Sequence, residues 1–200
     1  MNDTPIVICG AGIAGVAAAY FLTVHSGFHN VTLVDERQPL SLTSDKSTEA
    51  YRNWWPGPDD AMMKLMSRSI DLLEQLAGAH DNSFMLNRRG YFYATARTER
   101  AQSLEAEAMR AADQGAGPLR LHPGDAPDYR PAPLHGFADG LTGSDLLLGR
   151  AQIERHFPWL APDTIAVLHA RRCGWFSGQQ LGMLLLGEAR ASGLRLVNGR

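Results

Sequence analysis

Cysteine is nearly absent from this 200-residue chain, which has only Cys9 and Cys173. Two thiols cannot make a disulfide framework and are too few for a zinc site, so no metal is expected. An excess of one charge is missing as well. The formal net charge is −2, which gives no electrostatic ground for binding nucleic acid or an anionic membrane. No apolar run is long enough to span a bilayer. No basic stretch precedes the first apolar run near Pro5, so no secretory signal peptide is expected and a cytoplasmic location is the default. Catalytic signatures are also sparse. There is no His-Glu-x-x-His, no Ser-His-Asp order and no independently supported carboxylate pair. The remaining composition, 44% hydrophobic and 20% charged, is that of an ordinary globular chain.

What is present comes first in the chain. Residues 6–15 read Ile-Val-Ile-Cys-Gly-Ala-Gly-Ile-Ala-Gly, an apolar strand entering a Gly-x-Gly-x-x-Gly turn that opens a helix. A second apolar run, Val31 to Val34, ends in Asp35, twenty residues after Gly15. This is the β-α-β pattern that binds the ADP half of a dinucleotide. Gly10 permits the tight turn, Gly12 lets the backbone approach a pyrophosphate, and Gly15 lets helix and strand pack closely. The helix N-terminus offers free N–H groups and partial positive charge. Asp35 can accept from a ribose 2′-hydroxyl, and its charge disfavours a 2′-phosphate, so NADP is the least suited dinucleotide. Glu36 could share that role, but Asp35 fits the strand end better.

Further along, Gln38 to Pro58 reads as irregular. Met62, Met66, Ile70, Leu73 and Leu76 form a helical stripe, capped by Asp59 and stopped by Gly78. Phe84–Leu86 and Tyr91–Ala94 read as two strands around an Asn87-Arg88-Arg89-Gly90 turn. A helix fits Glu99 to Gln114, with Thr98 as its cap. Gly115 to Gly143 holds five prolines and six glycines and reads as a long surface excursion. A short helix is expected between Leu146 and Leu160, a strand at Ile165–His169, a helix at Gln179–Ala191 and a strand at Leu194–Val197.

This order of elements resembles the FAD-dependent oxidoreductases of the D-amino-acid oxidase and sarcosine oxidase superfamily. The glycine turn, Val31-Thr32-Leu33-Val34-Asp35-Glu36-Arg37 and the stretch from Thr43 to Thr48 carry the resemblance. So does Cys173-Gly174-Trp175-Phe176-Ser177-Gly178-Gln179-Gln180-Leu181, which resembles the family's return from the substrate domain. The resemblance implies an α/β fold, a Rossmann-like FAD-binding domain with part of a mixed-sheet α+β substrate domain. It places residues 1–80 and 178–200 in the FAD-binding domain and 81–177 in the substrate domain. The cofactor-binding residues it implies are Gly10, Ala11, Gly12, Ile13, Ala14, Gly15, Asp35, Glu36, Arg37, Thr43, Ser44, Ser47 and Thr48. Members of the family are longer than this chain, so a C-terminal half or a second subunit is an expected partner.

The activity the resemblance implies is oxidation of a small amine, amino acid or hydroxy acid, with hydride passing to flavin. Such chemistry needs a cation near the substrate carboxylate or the flavin carbonyl, and Arg52 is the leading candidate, although a solvated loop arginine or a structural ion pair is the plainer reading of it. Arg88, Arg89, Arg171 and Arg172 come next, although paired arginines more often lie on a surface. Trp54, Trp55, Tyr91, Tyr93, Trp175 and Phe176 could shape an apolar pocket or simply pack. His169 could act as a base, but a lone histidine at a strand end more often has a structural role. Two alternatives stay open: a non-catalytic flavin-binding assembly factor or inactive fragment, and an NAD-dependent dehydrogenase.

Overall fold

The computed structural model describes residues 4–46, 48–125, 128–138 and 140–199. The first elements are β1 (Ile6–Cys9), α1 (Ile13–Tyr20), β2 (Val31–Asp35), α2 (Thr43–Lys46) and β3 (Ala50–Arg52). Then come α3 (Ala61–Ala79), β4 (Tyr91–Thr95), α4 (Thr98–Ala111), β5 (Leu119–Pro123) and β6 (Ser144–Leu148). The last are α5 (Arg150–His156), β7 (Ala166–Ala170), β8 (Cys173–Trp175), α6 (Gly178–Ala191) and β9 (Arg195–Asn198). They form two compact units, Met1–Glu49 with Phe176–Arg200, and Ala50–Trp175. The chain therefore leaves the first unit well before residue 80, the boundary drawn from the sequence. The helix α3 packs on β3 and on Ala112–Ala116, the turn that follows α4, and so belongs to the second unit.

The first unit is a parallel sheet in the order β1-β2-β9. Ile8, Leu33 and Leu196 lie side by side in register, and α1 packs against α6. Val16, Ala19 and Leu33 are fully buried. The small residues of α1 let it lie close to the sheet: the nearest Leu33 methyl would be 3.4 Å from a Cβ at Gly15. The α6 N-terminus is capped by Ser177, whose hydroxyl accepts from the Gln180 N–H at 3.3 Å. Gly193, just past the helix, has φ +96°, the left-handed ending that glycine favours.

The second unit holds a β3-β8 antiparallel pair and a four-stranded sheet ordered β4-β7-β6-β5. Within that sheet only β5 and β6 run parallel. Leu146, Ala166, Leu168 and Ala170 pack with Leu104, Ala108 and Ala111 of α4 to make its main core. The α3 face turned inward carries Met63, Ile70 and Ala77. Met62, assigned to the stripe from sequence, is instead 42% exposed. The N-cap of α3 is Asp60, one residue later than expected, although Asp59 still accepts from the Ala61 N–H at 3.2 Å.

Phe84–Leu86 is not a strand. Asp81, Asn82 and Met85 have φ of +50°, +51° and +57°, and the Asn82 amide brackets Leu86, accepting from its N–H at 2.8 Å and donating to its carbonyl at 2.9 Å. A local side-chain bond thus outcompetes the ladder. The excursion after Gly115 does contain a strand, β5, at the sheet edge, where Pro123 is tolerated because an edge leaves some N–H positions unpaired. Among the described residues no helix is long and apolar enough to cross a membrane.

Candidate cofactor site

The glycine turn is built as its three glycines require. Gly10 has φ +102°, which a side chain would strain. A Cβ at Gly15 would lie 1.9 Å from the Gly10 carbonyl oxygen, so position 15 has no room for one. Gly12 caps α1 in an extended conformation, φ −73° and ψ 179°, with no capping side chain. The first turn of α1, with Ile13, Ala14 and Gly15, therefore points its N-terminal dipole at the turn. Ser44, from α2, reaches back to the turn, its hydroxyl accepting from the Ile13 N–H at 3.0 Å.

Asp35 closes the other side. Its Oδ2 accepts from the Ala11 N–H at 2.7 Å and its Oδ1 from the Arg37 N–H at 2.8 Å. These backbone bonds, that from Ala11 above all, hold its carboxyl below the usual carboxylate range. Asp35 thus has a task the sequence did not reveal: it ties the end of β2 to the glycine turn. Each oxygen retains acceptor capacity for a further donor such as a hydroxyl.

The turn, Asp35, Arg37, Gln38 and the segment Leu40–Ser44 line a cavity of about 280 Å³. Of the sequence-derived residues, Gly10, Ala11, Gly12, Asp35, Arg37, Thr43 and Ser44 meet there. Ile13, Ala14 and Gly15 sit behind them in α1. Glu36 is not part of the lining; it pairs with Arg37 at 3.1 Å on the surface. Thr48 is not in the lining either, and Ser47 lies outside the described residues. Gln38, Leu40, Ser41 and Leu42 were missed. Leu40 is the key one, with φ +62°. Its N–H donates to the Ala11 carbonyl at 2.9 Å, and its own carbonyl accepts from Gln179 at 3.1 Å. A Cβ at Gly182 would lie 2.4 Å from a Leu40 methyl. The strained leucine is thus pinned from three sides.

The cradle fits a dinucleotide: a glycine-rich turn at a helix N-terminus, an ionised acid at the end of the second strand, and a cavity between. A family model described as FAD dependent oxidoreductase matches residues 5–200. The chain belongs to this FAD-dependent oxidoreductase family. FAD is accordingly its cofactor, and the NAD-dependent alternative is set aside. Among solved structures, the chain is similar to L-proline dehydrogenase from P. horikoshii, with 18% identity and a TM-score of 0.73 over 98% of this chain and 44% of that one. It is similar to glycine oxidase from Bacillus cereus, with 14% identity and a TM-score of 0.72 over 98% and 46%. It also matches L-alpha-glycerophosphate oxidase from Mycoplasma pneumoniae with FAD bound, with 15% identity and a TM-score of 0.66 over 100% and 45%. At these identities the likeness is one of fold. A Schizosaccharomyces pombe protein provisionally named an oxidoreductase is 32% identical over 94 residues, 45% of this chain and 23% of that protein. The chain spans less than half the length of these relatives.

The other candidates lie in the second unit. Arg52, at the end of β3, places its guanidinium carbon 4.3 Å from the Trp55 ring centroid and 5.5 Å from that of Tyr91. Trp55 is fixed in turn by donating from its indole to the Arg52 carbonyl at 3.1 Å. Trp54 is buried in the core beside Tyr93. The surface expectation for the paired arginines fails: Arg88 and Arg171 are buried, Arg172 is partly buried and bonds Asp71 and Glu74, and only Arg89 is exposed. His169 is fully buried. Its Nδ1 faces the Tyr129 hydroxyl at 3.0 Å and its Nε2 the Arg89 carbonyl at 3.0 Å. Burial, helped by the Arg171 charge, brings its pKa down to about 3. Such a group is neutral at working pH and serves as a strut rather than a base.

Proposed function

We propose that this chain carries the ADP-binding half of an FAD-dependent oxidoreductase acting on a small amine, amino acid or hydroxy acid, with amino-acid-like substrates favoured. The observation that carries the reading is the cradle of Gly10–Gly12, Asp35 and Ser44 around one cavity. The backbone of Gly10–Gly12 and the first turn of α1 would receive the pyrophosphate, and Asp35 the adenosine ribose. The hydroxyls of Thr43 and Ser44 would add donors on the facing side, with Ser44 exchanging its bond to Ile13 for one to the ligand. When bound, FAD supplies the two-electron acceptor for the substrate's hydride. The substrate class draws on the neighbours' names, which include proline dehydrogenase, glycine oxidase and L-amino acid deaminase. Arg52 is the group we assign to the substrate carboxylate. Its charge rests against two aromatic faces, which orient it without neutralising it.

Titrating the chain with FAD, followed by flavin fluorescence, tests the cradle. Saturable one-to-one binding is expected, with NADP, whose 2′-phosphate Asp35 repels, competing least of the dinucleotides. Absence of flavin binding by a folded chain would defeat the assignment. In the active enzyme, Arg52→Ala is expected to raise KM for carboxylate-bearing substrates far more than for their amides, and Arg52→Lys to recover part of the loss. Equal effects on acid and amide would remove Arg52 from substrate recognition. Flavin that binds and is never reduced by amines, amino acids or hydroxy acids would favour a non-catalytic flavoprotein.

A further inference from the structure

In the second unit, α5 and the loop that follows it enclose a cavity of about 270 Å³. Arg150, Ile153, Glu154 and Phe157 line it from one side, and their spacing of i, i+3, i+4 and i+7 is that of a single helix face. Ile153 and Phe157 are buried, and Pro158, Leu160 and Pro162 extend the apolar lining along the loop. The loop is tied down. The Leu160 N–H donates to the Phe157 carbonyl at 2.9 Å, the Thr164 N–H to the Ala161 carbonyl at 3.0 Å and the Gly149 N–H to the Ile165 carbonyl at 3.2 Å. With two prolines, whose rings fix φ, these bonds leave little to be ordered when a ligand enters.

The charged members of the lining, Arg150 and Glu154, are both exposed and so stand at the mouth. Arg150 Nη2 donates to the carbonyl of Pro162, which holds the guanidinium beside the cavity. Its other donors have no acceptor among the described residues, and the Glu154 carboxylate has no hydrogen-bond or ion-pair partner among them. The two lie four residues apart yet do not pair with each other. A cation ahead of an acid is the less favourable order on a helix, and Arg150 is drawn to Pro162 instead. A free cation and a free carboxylate are thus open to solvent above an apolar lining.

We propose that this cavity binds a small zwitterion with an apolar side chain, the chemistry of a free aliphatic amino acid. Its carboxylate meets Arg150, its ammonium meets Glu154, and its side chain lies against Ile153, Phe157 and Leu160. A rim that carries both charges favours a ligand that carries both, and gives a simple anion or cation no net attraction. The volume falls just below the roughly 300–1,000 Å³ typical of drug-sized ligands, as a ligand this small requires. The cavity shares no lining residue with the cofactor cavity, and the proposal does not depend on the flavin assignment.

L-Leucine is the probe, titrated into the full chain by ligand-observed NMR beside N-acetyl-L-leucine, L-leucinamide and glycine. Saturable one-to-one binding is expected for leucine. Either blocked form should bind about fivefold more weakly, as the loss of one partly exposed ion pair implies. Glycine, which has no side chain to bury, should bind weaker by about tenfold or more. Glu154→Gln should weaken leucine to the level of its N-acetyl form and erase the difference between the two. Arg150→Gln should do the same for leucine and leucinamide. Glu154 has no partner to lose, so its variant carries the test if Arg150→Gln loosens the loop. Absence of saturable leucine binding overturns the proposal. So does binding that is unaltered in Glu154→Gln, or binding that is lost in Arg52→Ala, which would put leucine at the group assigned to the substrate carboxylate.

Discussion

At the scale of single residues, the glycine turn shows how little freedom a dinucleotide cradle leaves. Gly10 and Gly15 are fixed for different reasons: backbone conformation at one, and at the other a carbonyl oxygen where a methyl would go. Gly15→Ala is therefore expected to push α1 away from the turn, costing about 1–3 kcal/mol as overpacking does. It should also weaken FAD binding by more than the change in stability explains, because the N–H groups of the first turn are displaced. Chemical denaturation and flavin titration on the same preparation check both parts. Retained affinity at lowered stability would show that the turn need not be this tight. These glycines were legible in the sequence because their spacing is a covalent fact. Leu40 was not, since nothing in a leucine announces a positive φ. Its strain is dictated by contacts with Ala11, Gln179 and Gly182, and the last two lie far along the chain. Asp35 was legible as an acid at a strand end, but its bond to Ala11 was not, because it depends on how the turn folds back.

At the scale of elements, the long amphipathic helices were readable and the strands of the mixed sheet only partly. The strand β6 is buried at four of its five positions, so it shows no alternation, and a short apolar run does not distinguish strand from helix. The proline and glycine content around β5 hid an edge strand. The strand β7 is buried throughout and includes His169, whose ring lies against Gly90. A Cβ at Gly90 would sit 2.0 Å from His169 Nε2, which explains a glycine in the turn that enters β4. Burying this imidazole uncharged has a pH cost with a definite sign. Its folded pKa of about 3 lies below the unfolded value near 6.5, so between these values the unfolded chain binds the extra proton. Stability due to this residue is complete above about pH 6.5 and declines as the pH falls toward 3, by up to about 1.4 kcal/mol per pH unit. His169→Gln can keep both hydrogen bonds but does not titrate. It should flatten the stability profile between pH 6 and 4, measured as denaturation midpoints against the unaltered chain. Parallel profiles would mean that His169 is reached by water or carries its proton in the folded state. Asp145 acts lower on the scale. Burial would raise its carboxyl, but the bonds from Arg120, His122 and Arg171 prevail and hold it well below the usual carboxylate range, so its contribution is lost only in stronger acid.

At the scale of the whole molecule, the first unit presents a parallel sheet covered on one face. Parallel sheets are usually buried on both. The face that carries Ile8, Leu33 and Leu196 is packed by helices, whereas the opposite face carries Val7, 63% exposed, and Val197, 41% exposed. On it Arg195 lies over Thr32, its Nε donating to the hydroxyl at 3.1 Å. Cys9 is on that open face and is exposed, while Cys173 in β8 is buried. The two thiols thus report on different units. Burial pushes the Cys173 thiol up to about 12, and a buried thiol with so little thiolate is inert. Native labelling with a thiol-specific reagent should therefore modify one cysteine per chain, identified by peptide mass as Cys9, and the second only after denaturation. If neither reacts in the native state, the sheet face is covered, and the same sample at rising dilution separates the two ways of covering it. Reactivity that returns on dilution means that a second copy of the chain lies on the face, and protection that persists means that the chain itself does. If both react at similar rates, the second unit does not hold β8 as described. The outcome bears on cofactor binding because Cys9 directly precedes the glycine turn. Whatever lies on that face also sets how firmly β1 presents Gly10 to the cofactor.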